Sequence, residues 1–147
     1  MRKYIFLVVC VLAAVSLLPG CRRASHNGDI DGYWKVLSID VTDADGNTTD
    51  ILPEKGMFIG IQLELFQFYP VVPDYDNTDT AYVSLTGKIS YNEGAHTLGV
   101  SFRGDPSTAT LMKYGIPENP VTFTVERADS EYLVLRTPIS VIKCRRW

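Results

Sequence analysis

Three cysteines in a chain of 147 residues are too few for a disulfide framework. Cys10 lies in an apolar leader, Cys21 follows it, and only Cys144 stands in the body of the chain. A lone thiol there is most often a small buried hydrophobe, so packing has to hold the fold. Histidine is equally scarce, with His26 and His96 the only two. No His-x-His, His-Glu-x-x-His or Cys-x-x-Cys spacing occurs, so no local motif offers a metal site. No nucleophile elbow occurs either: Gly99-Val-Ser-Phe-Arg103 has arginine where the second glycine belongs. Basic charge is in deficit, 14 Lys and Arg against 17 Asp and Glu, which argues against a nucleic-acid partner. Carboxylates are plentiful but fall in turns and chain ends, where solvated charge accounts for them. The turn Asp43-Ala-Asp-Gly-Asn47 fails as a calcium loop. Placing Gly46 at loop position 6 puts Val41 at position 1 and Leu52 at position 12, and neither side chain is an oxygen ligand. The expectation is a chain with no catalytic residues, no metal and no cofactor.

A long apolar run is also missing. Tyr4 to Leu18 carries no charge but is only 15 residues long, short of the roughly 20 that a spanning helix needs. Arg2 and Lys3 precede it and Leu18-Pro-Gly-Cys21 ends it. Residues 1–20 therefore read as an export signal. Leu18, three places before the cysteine, and Gly20, just before it, resemble the bacterial lipoprotein signal. That resemblance implies cleavage before Cys21, which then carries the acyl chains and attaches the protein to a membrane. The mature chain would be residues 21–147, with 12 basic and 17 acidic side chains and a formal charge of −5. Arg22 and Arg23 follow the cysteine, where a surface-exported lipoprotein of the group named below carries an acidic cluster. Asp, the inner-membrane retention signal of enterobacteria, does not follow it. These sorting rules imply the outer membrane, facing the periplasm.

What is abundant is alternation. Residues 21–31 are polar and without period, a flexible tether. From Gly32 the chain alternates apolar and polar residues, with Leu37, Ile39 and Val41 expected on one face of the first strand. Met57 to Tyr69 reads as one long strand with Ile59, Ile61, Leu63 and Leu65 inward. At Phe66 and Phe68 its phase slips, which suggests a bulge. Further strands are expected over 48–52, 81–91, 98–102, 121–127, 132–136 and 139–146. Asp105 and Pro106 suit the start of a short helix running to Tyr114. The prediction is an all-β domain over residues 32–147: an antiparallel up-and-down barrel of about eight strands with one short helix.

An eight-stranded barrel either fills itself with side chains or holds one small ligand. Phe66, Phe68, Tyr82, Tyr91, Phe102, Phe123 and Tyr132 are the candidates to line such a cavity, or to fill the core in its place. With Gly32-Tyr-Trp34 opening the first strand, the chain resembles the lipocalin-like lipoproteins of Bacteroidetes. The resemblance implies a lipocalin-like barrel whose Trp34 packs at the closed end under a late-strand arginine, for which Arg136 and Arg145 are the candidates. It also implies a non-catalytic binding module, with a small apolar ligand as the first expectation. The alternative is an interaction subunit of a cell-envelope complex with a filled core.

Overall fold

The computed structural model describes residues 25–71 and 83–147. The expected signal, Cys21 and Tyr82 lie outside these residues. Among the described residues nine strands follow one another: β1 (Gly32–Thr42), β2 (Thr48–Asp50), β3 (Met57–Gln62), β4 (Leu65–Pro70), β5 (Leu85–Asn92), β6 (Thr97–Phe102), β7 (Val121–Ala128), β8 (Tyr132–Arg136) and β9 (Ser140–Arg146). From β3 onward each pairs antiparallel with the next, and β9 returns to β1. The result is a closed, up-and-down barrel of eight strands, with β2 outside it. β1 is the seam. One edge meets β9 from Trp34 to Val41. The other meets β3 at Gly32–Lys35 and β2 at Asp40–Thr42.

Alternation sets the two faces of the wall. Ile59 and Ile61 of β3, Leu98 and Val100 of β6, Phe123 and Val125 of β7, and Ile142 and Cys144 of β9 all point inward and are buried. In two places the phase differs from the sequence reading. In β1 the register against β9 shifts between Val36 and Ser38. This bulge changes parity, so Trp34, Val36 and Ile39 are buried while Leu37 is exposed. The expected strand over 57–69 is a hairpin, β3 and β4, turning at Leu63 and Glu64. The phase slip marks that turn and no bulge. Leu63 takes φ +56° there, a conformation that normally selects glycine. The Asn27 side chain braces the turn by donating to the Leu63 carbonyl at 2.7 Å. Leu63 and Leu65 therefore point outward.

The described part of the expected tether is held in place. From Ser25 the chain is pinned: Asp31 accepts hydrogen bonds from the backbone of His26 (2.7 Å) and Asn27 (3.0 Å) and from the Asn27 amide (2.6 Å). A single 3₁₀ turn, Gly28–Ile30, then lowers Ile30 into the barrel, where it is fully buried. This segment meets the β3–β4 turn and, through Gly28, the β5–β6 turn near Glu93. The β7–β8 turn joins them through Arg146, whose guanidinium donates to the Asp129 carbonyl. Together they form the closed end of the barrel.

At the opposite end a short helix, α1 (Thr108–Met112), is capped by Ser107, whose hydroxyl accepts from the Thr110 amide at 3.2 Å. The expected cap, Asp105, has φ +47° and stands outside the helix. Leu111, Tyr114 and Ile116 are buried, so this segment drops into the barrel mouth. Gly115 makes the approach possible. Its φ is +69°, and a side chain there would come within 2.9 Å of Ser140 and 3.0 Å of Ile39.

Candidate functional site

The inward positions of β4, β6 and β7 bring four of the seven aromatic candidates together. Phe66 stacks on Phe123 with ring centres 6.0 Å apart and meets Phe68 edge-on at 5.0 Å. Phe102 lies 6.1 Å from Phe66 and 6.2 Å from Phe68. Such offset and edge-to-face pairs stabilise beyond their buried area, by about 0.5–1.5 kcal/mol each. The cluster continues into the mouth, where the Tyr114 ring is 4.9 Å from Phe68 and its hydroxyl donates to the Val83 carbonyl. A ring bordering a water-sized void would keep accessible surface on that side. Phe66, Phe68, Phe123 and Tyr114 keep none. These rings are core.

The other three candidates are elsewhere. Tyr91 is half-buried and packs against the core from the closed-end rim. Burial, then the charges of Glu93 and Asp29, raise its pKa. Tyr132 is on the outer wall, with the Arg127 guanidinium 4.4 Å above its ring. Tyr82 is outside the described residues. The alternation alone did not reveal Tyr114, because it belongs to no strand. Its signal was the apolar triplet Leu111, Tyr114 and Ile116 around a glycine.

The closed end is built on Trp34. Its indole N–H donates to the Ile30 carbonyl at 2.9 Å, and the ring is fully buried. The arginine above it is Arg146, with its guanidinium carbon 4.2 Å from the ring centre. Neither expected arginine fills this role. Arg136 pairs with Glu126 on the outside, and Arg145 is exposed. Parity explains the difference: Ser140, Ile142 and Cys144 face inward along β9, and Arg146 continues that series. Directly opposite Trp34 in the ladder, it donates to the carbonyls of Asp31 at 3.0 Å and Asp29 at 2.9 Å. Its Nε is buried without an acceptor, and the indole face provides the compensating attraction. Gly32 has its place for the same reason. A Cβ there would stand 2.6 Å from the Arg146 guanidinium.

A pocket lies outside the barrel. It is an open groove of about 550 Å³ between the N-terminal segment and the β3–β4 wall. Ser25, His26 and Asp29 line one side, and Tyr33, Gln62, Leu65 and Tyr69 the other. Gly60 forms its floor, with the Tyr33 and Tyr69 rings folded over the space a side chain would take. Burial, then Tyr33, raises the pKa of the Tyr69 phenol. His96 occupies the β5–β6 turn, and Cys144 is a free, buried thiol that burial pushes well above its ordinary pKa. Among the described residues no group of three or more His, Cys, Asp or Glu could hold a metal ion.

Trp34→Ala is expected to lower stability by about 3–5 kcal/mol, the usual cost of deleting a buried aromatic. Arg146→Lys keeps the charge but loses the planar fork that reaches two carbonyls, and should also lower the urea midpoint. The exposed Arg145→Ala should stay within about 0.5 kcal/mol of wild type. Equilibrium urea unfolding of the three variants checks the assignment.

Comparison with curated protein sequences found no match. Among solved structures, the chain is similar to a lipocalin-like protein from Bacteroides uniformis ATCC 8492. That likeness has TM-score 0.58 and 19% identity, and covers 82% of this chain and 100% of the other. It is also similar to an uncharacterized protein from Bacteroides eggerthii DSM 20697, with TM-score 0.53 and 16% identity over 80% of this chain and 98% of the other. At such identities the likeness establishes the fold alone. The family model described as "Lipocalin-like domain" matches residues 15–147, and the chain belongs to that lipocalin-like family.

Proposed function

We propose that this protein is a lipid-anchored, non-catalytic interaction module of the cell envelope, a solid barrel that presents its surface to a protein partner. The observation that carries the reading is the filled interior. Four phenylalanines occupy the space where a small apolar ligand would sit, and Tyr114 fills the mouth through which it would enter. This packing counts against the small-ligand carrier, the first expectation from sequence. In this reading Cys21 is the acylated residue after removal of residues 1–20, and the protein faces the periplasm from the outer membrane. Leu18 and Gly20 before the cysteine, and Arg22 and Arg23 after it, support that position. Among the described residues no helix is long and apolar enough to cross a membrane.

The partner-binding surface in this reading is the mouth end. Val71 and Val83, the described residues on either side of 72–82, are exposed, and so is Met112 of α1. The Tyr114–Val83 hydrogen bond ties α1 and Val83 to one region. Exposed aliphatic side chains collected at one end of a soluble domain suit a protein contact.

Two outcomes are expected. An apolar fluorophore should show no saturable binding to the wild-type barrel. Phe66→Ala should gain such binding by opening an apolar void, while losing about 3–5 kcal/mol of stability. Stoichiometric binding to wild type would contradict the solid core, whatever the variant does. A photo-crosslinking residue in place of Val83 in intact cells should give one discrete protein adduct. The same residue in place of Glu93, at the closed end, should not. Equal or absent labelling at both positions would contradict a partner surface at the mouth.

A further inference from the structure

The exposed apolar side chains fall into two main sets, and the mouth accounts for only one. The other lies on the outer wall of β1, β3 and β4 beside the closed end. Leu63 is 60% exposed, Leu65 42%, Tyr33 54% and Trp147 75%. Trp147 stands edge-on to Phe58 with ring centres 5.0 Å apart, and its backbone N–H donates to the Tyr33 carbonyl at 3.0 Å. Tyr33 and Tyr69 are neighbours on the same wall, with ring centres 6.1 Å apart. Here tryptophan and tyrosine, each an apolar body with a polar edge, flank two protruding leucines. That combination suits the boundary between lipid headgroups and acyl chains.

From this wall and the point where the chain leaves the barrel, we infer that the β1–β3–β4 face is a membrane-contact surface, and that the barrel rests on phospholipid with its closed end down. The inference rests on the acylation of Cys21 proposed above. Ser25 is already pinned to the closed end by its hydroxyl, which contacts the Asp31 carboxylate at 3.1 Å, and it lines the groove beside Tyr33 and Leu65. Three residues separate it from Cys21, and the four Cα-to-Cα steps reach about 14 Å at full extension. A strand as long as β5, eight residues, runs about 26 Å. The leash is therefore shorter than the barrel wall. It holds the closed end and the wall at the bilayer and keeps the mouth away. The leash contains Arg22 and Arg23, and basic side chains near a bilayer are attracted to anionic headgroups. A soluble protein partner on this wall would have to fit between the barrel and the bilayer within that reach, and a lipid surface needs no such space.

The test uses the full acylated protein reconstituted in vesicles of phosphatidylethanolamine and phosphatidylglycerol. An environment-sensitive label is attached to Leu63→Cys or, as the far-end control, to Asp45→Cys in the β1–β2 turn. The buried Cys144 stays unlabelled and Cys21 is blocked by lipid. Both proteins should float with the vesicles. The label at position 63 should shift to the blue and be quenched by lipids brominated in their acyl chains, and the label at position 45 should do neither. Flotation with two equally solvent-exposed labels would overturn the contact surface while leaving the anchor intact. Failure to float would remove the anchor and the orientation with it. Shielding of position 63 without lipid, together with a doubled mass in solution, would assign the wall to a second copy and overturn the membrane contact.

Discussion

The barrel depends on a cation held against an indole. Arg146 comes from the last strand and Trp34 from the first, so their contact closes the cylinder at the seam where β9 returns to β1. A cation over a tryptophan is worth about 0.5–1 kcal/mol in the open and about 2 or more when desolvated. The larger effect is geometric. The planar guanidinium covers one ring face while its outer nitrogens take the carbonyls of Asp29 and Asp31, and the indole N–H takes that of Ile30. Three successive carbonyls of the N-terminal segment are thereby satisfied. That segment is fixed across the barrel floor, and Ile30 becomes its plug. Asp31 continues the chain of consequences. Its carboxylate gathers His26 and Asn27, and Asn27 in turn holds the Leu63 carbonyl, where β3 turns into β4 without the glycine that such a turn normally uses.

With the floor fixed, the interior has one occupant, its own aromatic side chains. Phe66 and Phe68 come from β4, Phe102 from β6, Phe123 from β7, and Tyr114 from the segment after α1. Ser140 joins this segment to the wall by donating to the Gly115 carbonyl at 2.5 Å, and Thr137 hydrogen-bonds to Ser140 at 2.8 Å. Both ends of the cylinder are thus closed by chain segments that are themselves hydrogen-bonded into place. A lipocalin-like wall around a packed core has its free surfaces on the outside. The outside offers two surfaces, the mouth rim near Val83 and the wall around Tyr33.

Much of the architecture was legible because inward residues alternate. Phe123 and Val125, or Leu133 and Leu135, reveal their faces by spacing alone, and the glycine before Trp34 marked the start of the first strand. The misreadings lie where the backbone leaves the regular ladder. Leu63 at φ +56° carries no turn signature, so two strands read as one. The bulge after Val36 reverses parity without a glycine or proline to announce it. Asp105 looks like a helix cap, but the cap falls two residues later at Ser107. The arginine over Trp34 was within reach, since Ile142, Cys144 and Arg146 share one parity. That choice needed β9 to be counted from its buried residues. Whether the phenylalanines line a void or fill it depends on how the segment 103–120 folds back, and no local pattern encodes that.

The central claim is that the barrel has no internal vacancy, and xenon tests it most directly, because xenon enters dry apolar cavities that water leaves empty. Aromatic NMR of the wild-type protein under increasing xenon pressure would follow the ring signals of Phe66, Phe68, Phe102, Phe123 and Tyr114. The packing described here predicts no saturable shift at any of them. Saturable shifts converging on Phe66 and Phe68 would reveal a ligand-sized space at the barrel centre and contradict the solid core.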